Sequence, residues 1–101
     1  MMRIALLGAT GSIGASTLDV VARHPQKFRA CVLSAHRNVD ALVELCRKFR
    51  PDLAIISDPA LEGELASKLR AADVSSRVLA GPKALVEVAA GESADCVVAA
   101  I

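Results

Sequence analysis

Gly8, Gly11 and Gly14, with Thr10 and Ser12 set between them, have the types and spacing to hold an anion on bare backbone. The first glycine permits a sharp turn. The second has no Cβ to keep a pyrophosphate away, and the third lets a following helix lie close to the preceding strand. The amides of Thr10, Gly11, Ser12 and Ile13 would then point at the anion, reinforced by a helix dipole, with the Thr10 and Ser12 hydroxyls as further donors. Glycine spacing alone is weak evidence, and its setting carries the weight. The run Leu6-Leu7-Gly8-Ala9-Thr10-Gly11-Ser12-Ile13-Gly14 follows directly on the short apolar stretch Arg3-Ile4-Ala5 and leads into a helix-like segment. That context points to a nucleotide-binding loop, the alternative being a tight strand-to-helix turn without a ligand. No Lys follows Gly14, so a Walker-type loop and ATP or GTP hydrolysis have no support.

A second group bears on which nucleotide is bound. In dinucleotide folds the end of the second strand meets the adenosine ribose, where an acid favours a free 2′-hydroxyl and a cation a 2′-phosphate. Here that place reads Ser34-Ala35-His36-Arg37-Asn38, with no acid between Phe28 and Val39. Arg37 can make charge-assisted bonds to a phosphate, each worth about 1.5 to 3 kcal/mol, or about 10- to 100-fold in affinity. NADP is therefore favoured over NAD. The rival, Asp40, falls inside the next helix, where it more simply complements the dipole. Asn38 either caps that helix or donates its amide to the same phosphate. His36 reads as a solvated loop residue, with a ligand role as the alternative.

These residues need a frame, and strand-like and helix-like periods alternate along the chain. Residues 3–7 read as a strand, 12–24 as a helix stopped by Pro25, and 28–35 as a second strand. Val39, Leu42, Val43, Cys46 and Phe49 form one apolar helical stripe that ends near Pro51. Residues 52–57 are a third strand. Pro59 then opens a helix with Leu61, Leu65 and Leu69 on one face and Glu62, Glu64, Lys68 and Arg70 outward. Residues 77–80 form a short strand, Gly81-Pro82 leads into a helix stopped by Gly91, and 94–101 make a last strand. This order gives a doubly wound parallel sheet, an α/β fold of Rossmann-like type. The chain is expected to be one NADP-binding domain over 1–101. Because the apolar run 96–101 stops without a cap or polar tail, it is also expected to be cut short, as a piece of a multi-domain enzyme.

Composition narrows the choices further. Hydrophobic residues make up 53% and charged residues 23%, which suits buried parallel strands covered by helices. A net charge of +1, with two Phe as the only aromatics, offers nucleic acid neither a basic footprint nor a stacking platform. No segment approaches about 20 uninterrupted apolar residues, and no signal-type stretch precedes Gly8, so a cytoplasmic protein away from the membrane is expected. Cys31, Cys46 and Cys96 are far apart, without partners at metal-ligand spacing, and read as reduced core residues. The acids form no catalytic set: Asp19, Glu44, Glu62, Glu64, Glu87 and Glu92 read as solvated helix faces or ends, and Asp58, Asp73 and Asp95 as turn or edge markers. His24 reads as a helix-end residue facing the dipole.

The run Leu7 to Val21, with Gly-Ser-Ile-Gly-x-Ser-Thr-Leu-Asp at its centre, then Phe28-Arg29, then Ala35-His36-Arg37-Asn38-Val39, resembles the amino-terminal domain of the 1-deoxy-D-xylulose 5-phosphate reductoisomerase family. The closing Val98-Ala99-Ala100-Ile101 is similar to the strand that in that family leads into a Gly-rich turn. The resemblance implies an NADPH-dependent oxidoreductase of the methylerythritol phosphate route to isoprenoids. Such an enzyme rearranges the sugar phosphate 1-deoxy-D-xylulose 5-phosphate with a divalent Mg or Mn ion and reduces the product to 2-C-methyl-D-erythritol 4-phosphate. It also implies a homodimer. The family's cofactor contacts carry over onto Thr10, Gly11, Ser12 and Ile13 at the pyrophosphate, and onto Arg37 and Asn38 at the 2′-phosphate. Many members have Gly where His36 stands and Lys where Arg37 stands; Arg keeps the charge and adds a fork. The family's metal ligands, substrate-phosphate ligands and lid would fall beyond Ile101, so no catalytic or metal-binding residue is expected in this chain.

Two other readings compete. An aspartate-semialdehyde-type dehydrogenase or a short-chain reductase uses a similar Gly-Ala-Thr-Gly loop, although the residues after Gly14 argue against both. A non-catalytic module that holds NADP is the third.

Overall fold

A computed structural model describes residues 1–91 and 94–100. Five strands, β1 (Met2–Leu7), β2 (Phe28–Ala35), β3 (Leu53–Ile56), β4 (Arg77–Ala80) and β5 (Cys96–Ala99), form one sheet in the order β4-β3-β2-β1-β5. Every neighbouring pair is parallel. The strand order runs outward from β1 to β4 and then returns to the other side of β1. This is the doubly wound α/β arrangement expected from the alternation of periods. The reversal puts a topological switch point between β1 and β5, where ligands of such sheets bind at the carboxyl ends of the strands.

The helices divide between the two faces as the winding requires. The first three are α1 (Ser12–Arg23), α2 (Val39–Phe49) and α3 (Glu62–Ala71). They bury Leu18, Val21, Leu42, Cys46, Leu65 and Leu69 in a core shared with Ile4, Leu6, Leu33 and Ile56. The fourth, α4 (Pro82–Ala90), crosses the opposite face and packs Ala84 and Val88 with Ala5, Cys31, Val32 and Ile55. Cys31 and Val32 are adjacent in sequence yet share that core. The register explains it: Ile4 pairs with Ala30 and Ala5 with Val32, leaving Cys31 as the extra residue of a bulge. Its thiol donates to the carbonyl of Ile4 at 3.4 Å.

Local differences from the expected elements have plain causes. Pro59 opens a 3-10 turn, Pro59–Leu61, rather than the α-helix itself; Asp58 caps that turn through the Ala60 N–H at 3.0 Å, and α3 begins at Glu62. Helix α1 ends at Arg23, and His24 is its cap, with its ring edge-on to Phe28. The last strand is shorter than 94–101, covering Cys96–Ala99. Cys96 is half-buried and edges the core rather than lying inside it, unlike Cys31 and Cys46. Burial pushes the Cys46 thiol up to about 12. Glu92 and Ile101 lie outside the described residues. No helix among the described residues is long and apolar enough to cross a membrane.

Candidate functional site

The turn after β1 is built by conformations that only its own residues supply. Gly8 sits at φ +86°, the left-handed region that a side chain disfavours. Gly14 is required for a different reason: a Cβ there would come within 2.6 Å of the Ala9 carbonyl oxygen and 2.7 Å of the Gly8 oxygen. Backbone cannot move aside cheaply, so helix α1 lies this close only because residue 14 has no side chain. Gly11 differs from both. A Cβ there would meet its nearest atoms, the Gly8 and Ala100 carbonyl oxygens, at 3.9 and 4.0 Å, an ordinary contact. Among the described residues nothing clashes with a side chain at 11, so steric room alone does not explain a glycine there.

Donors are left over at this turn. Gly11 stands at the N-cap of α1 in an extended conformation, with no side-chain cap and no acid in the first turn. Among the described residues, the N–H groups of Thr10, Ser12 and Ile13 have no protein acceptor, and that of Gly11 reaches the Gly8 oxygen only at 3.5 Å. Unfilled donors at a helix start, on exposed residues, are groups that could hold an anion.

The loop is fastened to β2 by Ser34, the buried polar side chain among the described residues, at 2% exposure. Its hydroxyl accepts the Gly8 N–H at 2.9 Å, and its carbonyl accepts the Ala9 N–H at 2.7 Å. This role is not evident from the spacing of the sequence. The available signal was one hydroxyl residue near the end of the apolar strand Cys31-Val32-Leu33-Ser34-Ala35, where a buried polar group needs a partner. Gly8, Ser34, Ala35, His36 and Ser57 together line a recess of about 90 Å³. The loop and the turn after β2 therefore open onto one place.

Arg37 and Asn38 stand exposed on that turn. Asn38 does cap α2: its side-chain oxygen accepts the Ala41 N–H at 3.1 Å, which leaves its amide nitrogen as a donor. Asp40, the rival for a ribose hydroxyl, instead pairs with Lys68 of α3, which also reaches Glu64 at 3.3 Å. Arg37 has its Nε 3.4 Å from a carboxylate oxygen of Asp58, a residue read from sequence only as a turn marker. His36 is exposed, and its carbonyl accepts the Asp58 N–H at 3.1 Å. Among the described residues no group of three or more His, Cys, Asp or Glu stands together to hold a metal ion.

Comparison with known proteins shows the family. The family model described as 1-deoxy-D-xylulose 5-phosphate reductoisomerase matches residues 4–101. The 1-deoxy-D-xylulose 5-phosphate reductoisomerase of Burkholderia vietnamiensis is 56% identical over 99 residues, and that of Paraburkholderia xenovorans 54%. In both cases the match covers 98% of this chain and 25% of the relative, so the chain spans about a quarter of the length of the relatives it matches. A crystal structure of DOX-P reductoisomerase in complex with NADPH, fosmidomycin and magnesium superimposes with a TM-score of 0.94 at 39% identity, covering 100% of this chain and 24% of that one. The Zymomonas mobilis enzyme in complex with NADPH gives 0.89 at 40% identity, covering 99% and 26%.

Proposed function

Since the chain belongs to the 1-deoxy-D-xylulose 5-phosphate reductoisomerase family, we propose that residues 1–101 are the NADPH-binding part of an enzyme that converts 1-deoxy-D-xylulose 5-phosphate to 2-C-methyl-D-erythritol 4-phosphate in isoprenoid biosynthesis. The observation that carries the reading is the set of unfilled N–H groups of Thr10, Ser12 and Ile13 at the exposed start of α1. A pyrophosphate is the group of matching charge and size for such a cradle. Arg37 and the free amide of Asn38 then serve a 2′-phosphate on the adenosine side, while Asp40 is engaged by Lys68 and leaves a ribose hydroxyl without its usual acid.

In this reading the residues bind and orient. The first turn of α1 neutralises the pyrophosphate, Gly8 and Ser34 fix the loop that carries it, and Arg37 selects the phosphorylated nucleotide. Bound NADPH supplies a hydride for reduction of the rearranged sugar phosphate. The described residues do not make a metal site, so the divalent ion of such an enzyme finds no ligand set here and no step is assigned to it. A cytoplasmic homodimer acting on a sugar phosphate completes the proposal.

The test is titration of the chain with NADPH and NADH, followed by nucleotide fluorescence or calorimetry, for the wild type and for Arg37→Ala. The expected result is tighter binding of NADPH, with Arg37→Ala losing about 10- to 100-fold for NADPH and little for NADH. Equal affinity for the two nucleotides, or an Arg37→Ala chain that still prefers NADPH, overturns the assignment.

A further inference from the structure

We propose that Asp58 competes with the 2′-phosphate for Arg37 and thereby sets how strongly the chain prefers NADPH to NADH. This rests on the reading of Arg37 as the cation for that phosphate.

The two partners are held very differently. Asp58 is fixed from three directions: its N–H donates to the His36 carbonyl at 3.1 Å, one carboxylate oxygen accepts the Ala60 N–H at 3.0 Å, and Pro59 restricts the backbone that follows. Its side chain is 28% exposed, whereas that of Arg37 is 71% exposed and reaches the second carboxylate oxygen through Nε at 3.4 Å. The acid is tied to the β3 end by hydrogen bonds, and the guanidinium is largely exposed. Such an ion pair adds little to folding. Its consequence falls on the ligand. A dianionic phosphate arriving at Arg37 must share a cation already paired with a carboxylate whose other oxygen is held as the cap of the 3-10 turn. A nucleotide with a free 2′-hydroxyl meets no such competition, so Asp58 narrows the margin between the two cofactors.

Asp58→Asn is a clean probe, because Asn caps as well as Asp and can keep the Ala60 bond while losing the charge. Kd for NADPH and NADH is measured at low and high salt for the wild type, Asp58→Asn, Arg37→Ala and the double variant, with far-UV circular dichroism as the control for folding. The expected result is NADPH binding tightened about 3- to 10-fold by Asp58→Asn at low salt, less so at high salt, with NADH unchanged. That gain disappears in the Arg37→Ala background. Unchanged or weaker NADPH binding by a folded Asp58→Asn chain overturns the proposal, as does an equal gain for NADH or a gain that survives without Arg37. A wild-type chain that does not discriminate the nucleotides rejects the reading of Arg37 itself, and that outcome is read without any variant.

Discussion

The hydroxyl of Ser34 accepts the main-chain N–H of Gly8 at 2.9 Å, so the second strand holds the first residue of the glycine turn in place. Gly8 has a positive φ, and its neighbour Ala9 donates to the carbonyl of the same serine. One residue thus sets both the start and the direction of the loop that presents the open donors.

Ser34→Ala leaves the Gly8 donor without its acceptor in a nearly closed site. The expected cost is about 1 to 3 kcal/mol, read as a lower urea midpoint at unchanged slope, together with several-fold weaker NADPH binding. A loss below about 0.5 kcal/mol would show that water replaces the hydroxyl there at no cost.

Gly11 and Gly14 separate binding from folding. Gly14→Ala drives a methyl to 2.6 Å from backbone and is expected to lose about 1 to 3 kcal/mol or more in thermal or denaturant unfolding. Gly11→Ala has room for its methyl and an extended backbone that alanine adopts freely, so its stability stays within about 0.5 kcal/mol of wild type. In the proposed reading a methyl at 11 hinders close approach of a pyrophosphate to the backbone, and dinucleotide affinity is expected to fall about tenfold or more by titration.

Arg37→Lys keeps the charge but loses the planar fork. NADPH affinity is expected to fall less than for Arg37→Ala, by about 3- to 10-fold, and to become more sensitive to salt. Titrations across a salt series check this. A fall as large as that of Arg37→Ala would mean that fork geometry, not charge, carries the selection.

Alkaline stability depends on Cys46. Burial alone pushes its thiol from 9.0 to about 12 in the folded chain, and burial also raises Cys31. Between pH 9 and 12 the unfolded chain releases a proton that the folded chain retains, so stability is full below pH 9 and falls as pH rises. The Cys46 contribution reaches about 4 kcal/mol near the top of that window. Urea midpoints measured at rising pH should show the decline, and Cys46→Ala, though less stable at neutral pH, should show a shallower one.

Period and punctuation made most of the frame legible. The strand 28–35 and the stripe Val39, Leu42, Val43, Cys46 and Phe49 correspond residue for residue to β2 and α2, because each is amphipathic or buried over its whole length and bounded by Pro or a capping residue. The 3-10 turn at Pro59 was not legible, since proline at a helix start suits both kinds of turn and the choice depends on the Asp58 cap. The bulge at Cys31 was hidden for a related reason: in a strand buried on both faces, apolar residues follow one another whichever way they point. At the site, the glycines and Arg37 stood out by type. Ser34 and Asp58 did not, because their roles depend on the neighbouring strand and turn and not on their own spacing.

In the proposed function the first turn of α1 and the turn after β2 grip one dinucleotide. Amide chemical shifts of the ¹⁵N-labelled chain titrated with NADPH test it most directly. Thr10, Gly11, Ser12 and Ile13 are expected to move together with Arg37 and Asn38 at a common saturation point. Shifts confined to other parts of the chain, with those amides unmoved at saturation, would contradict it.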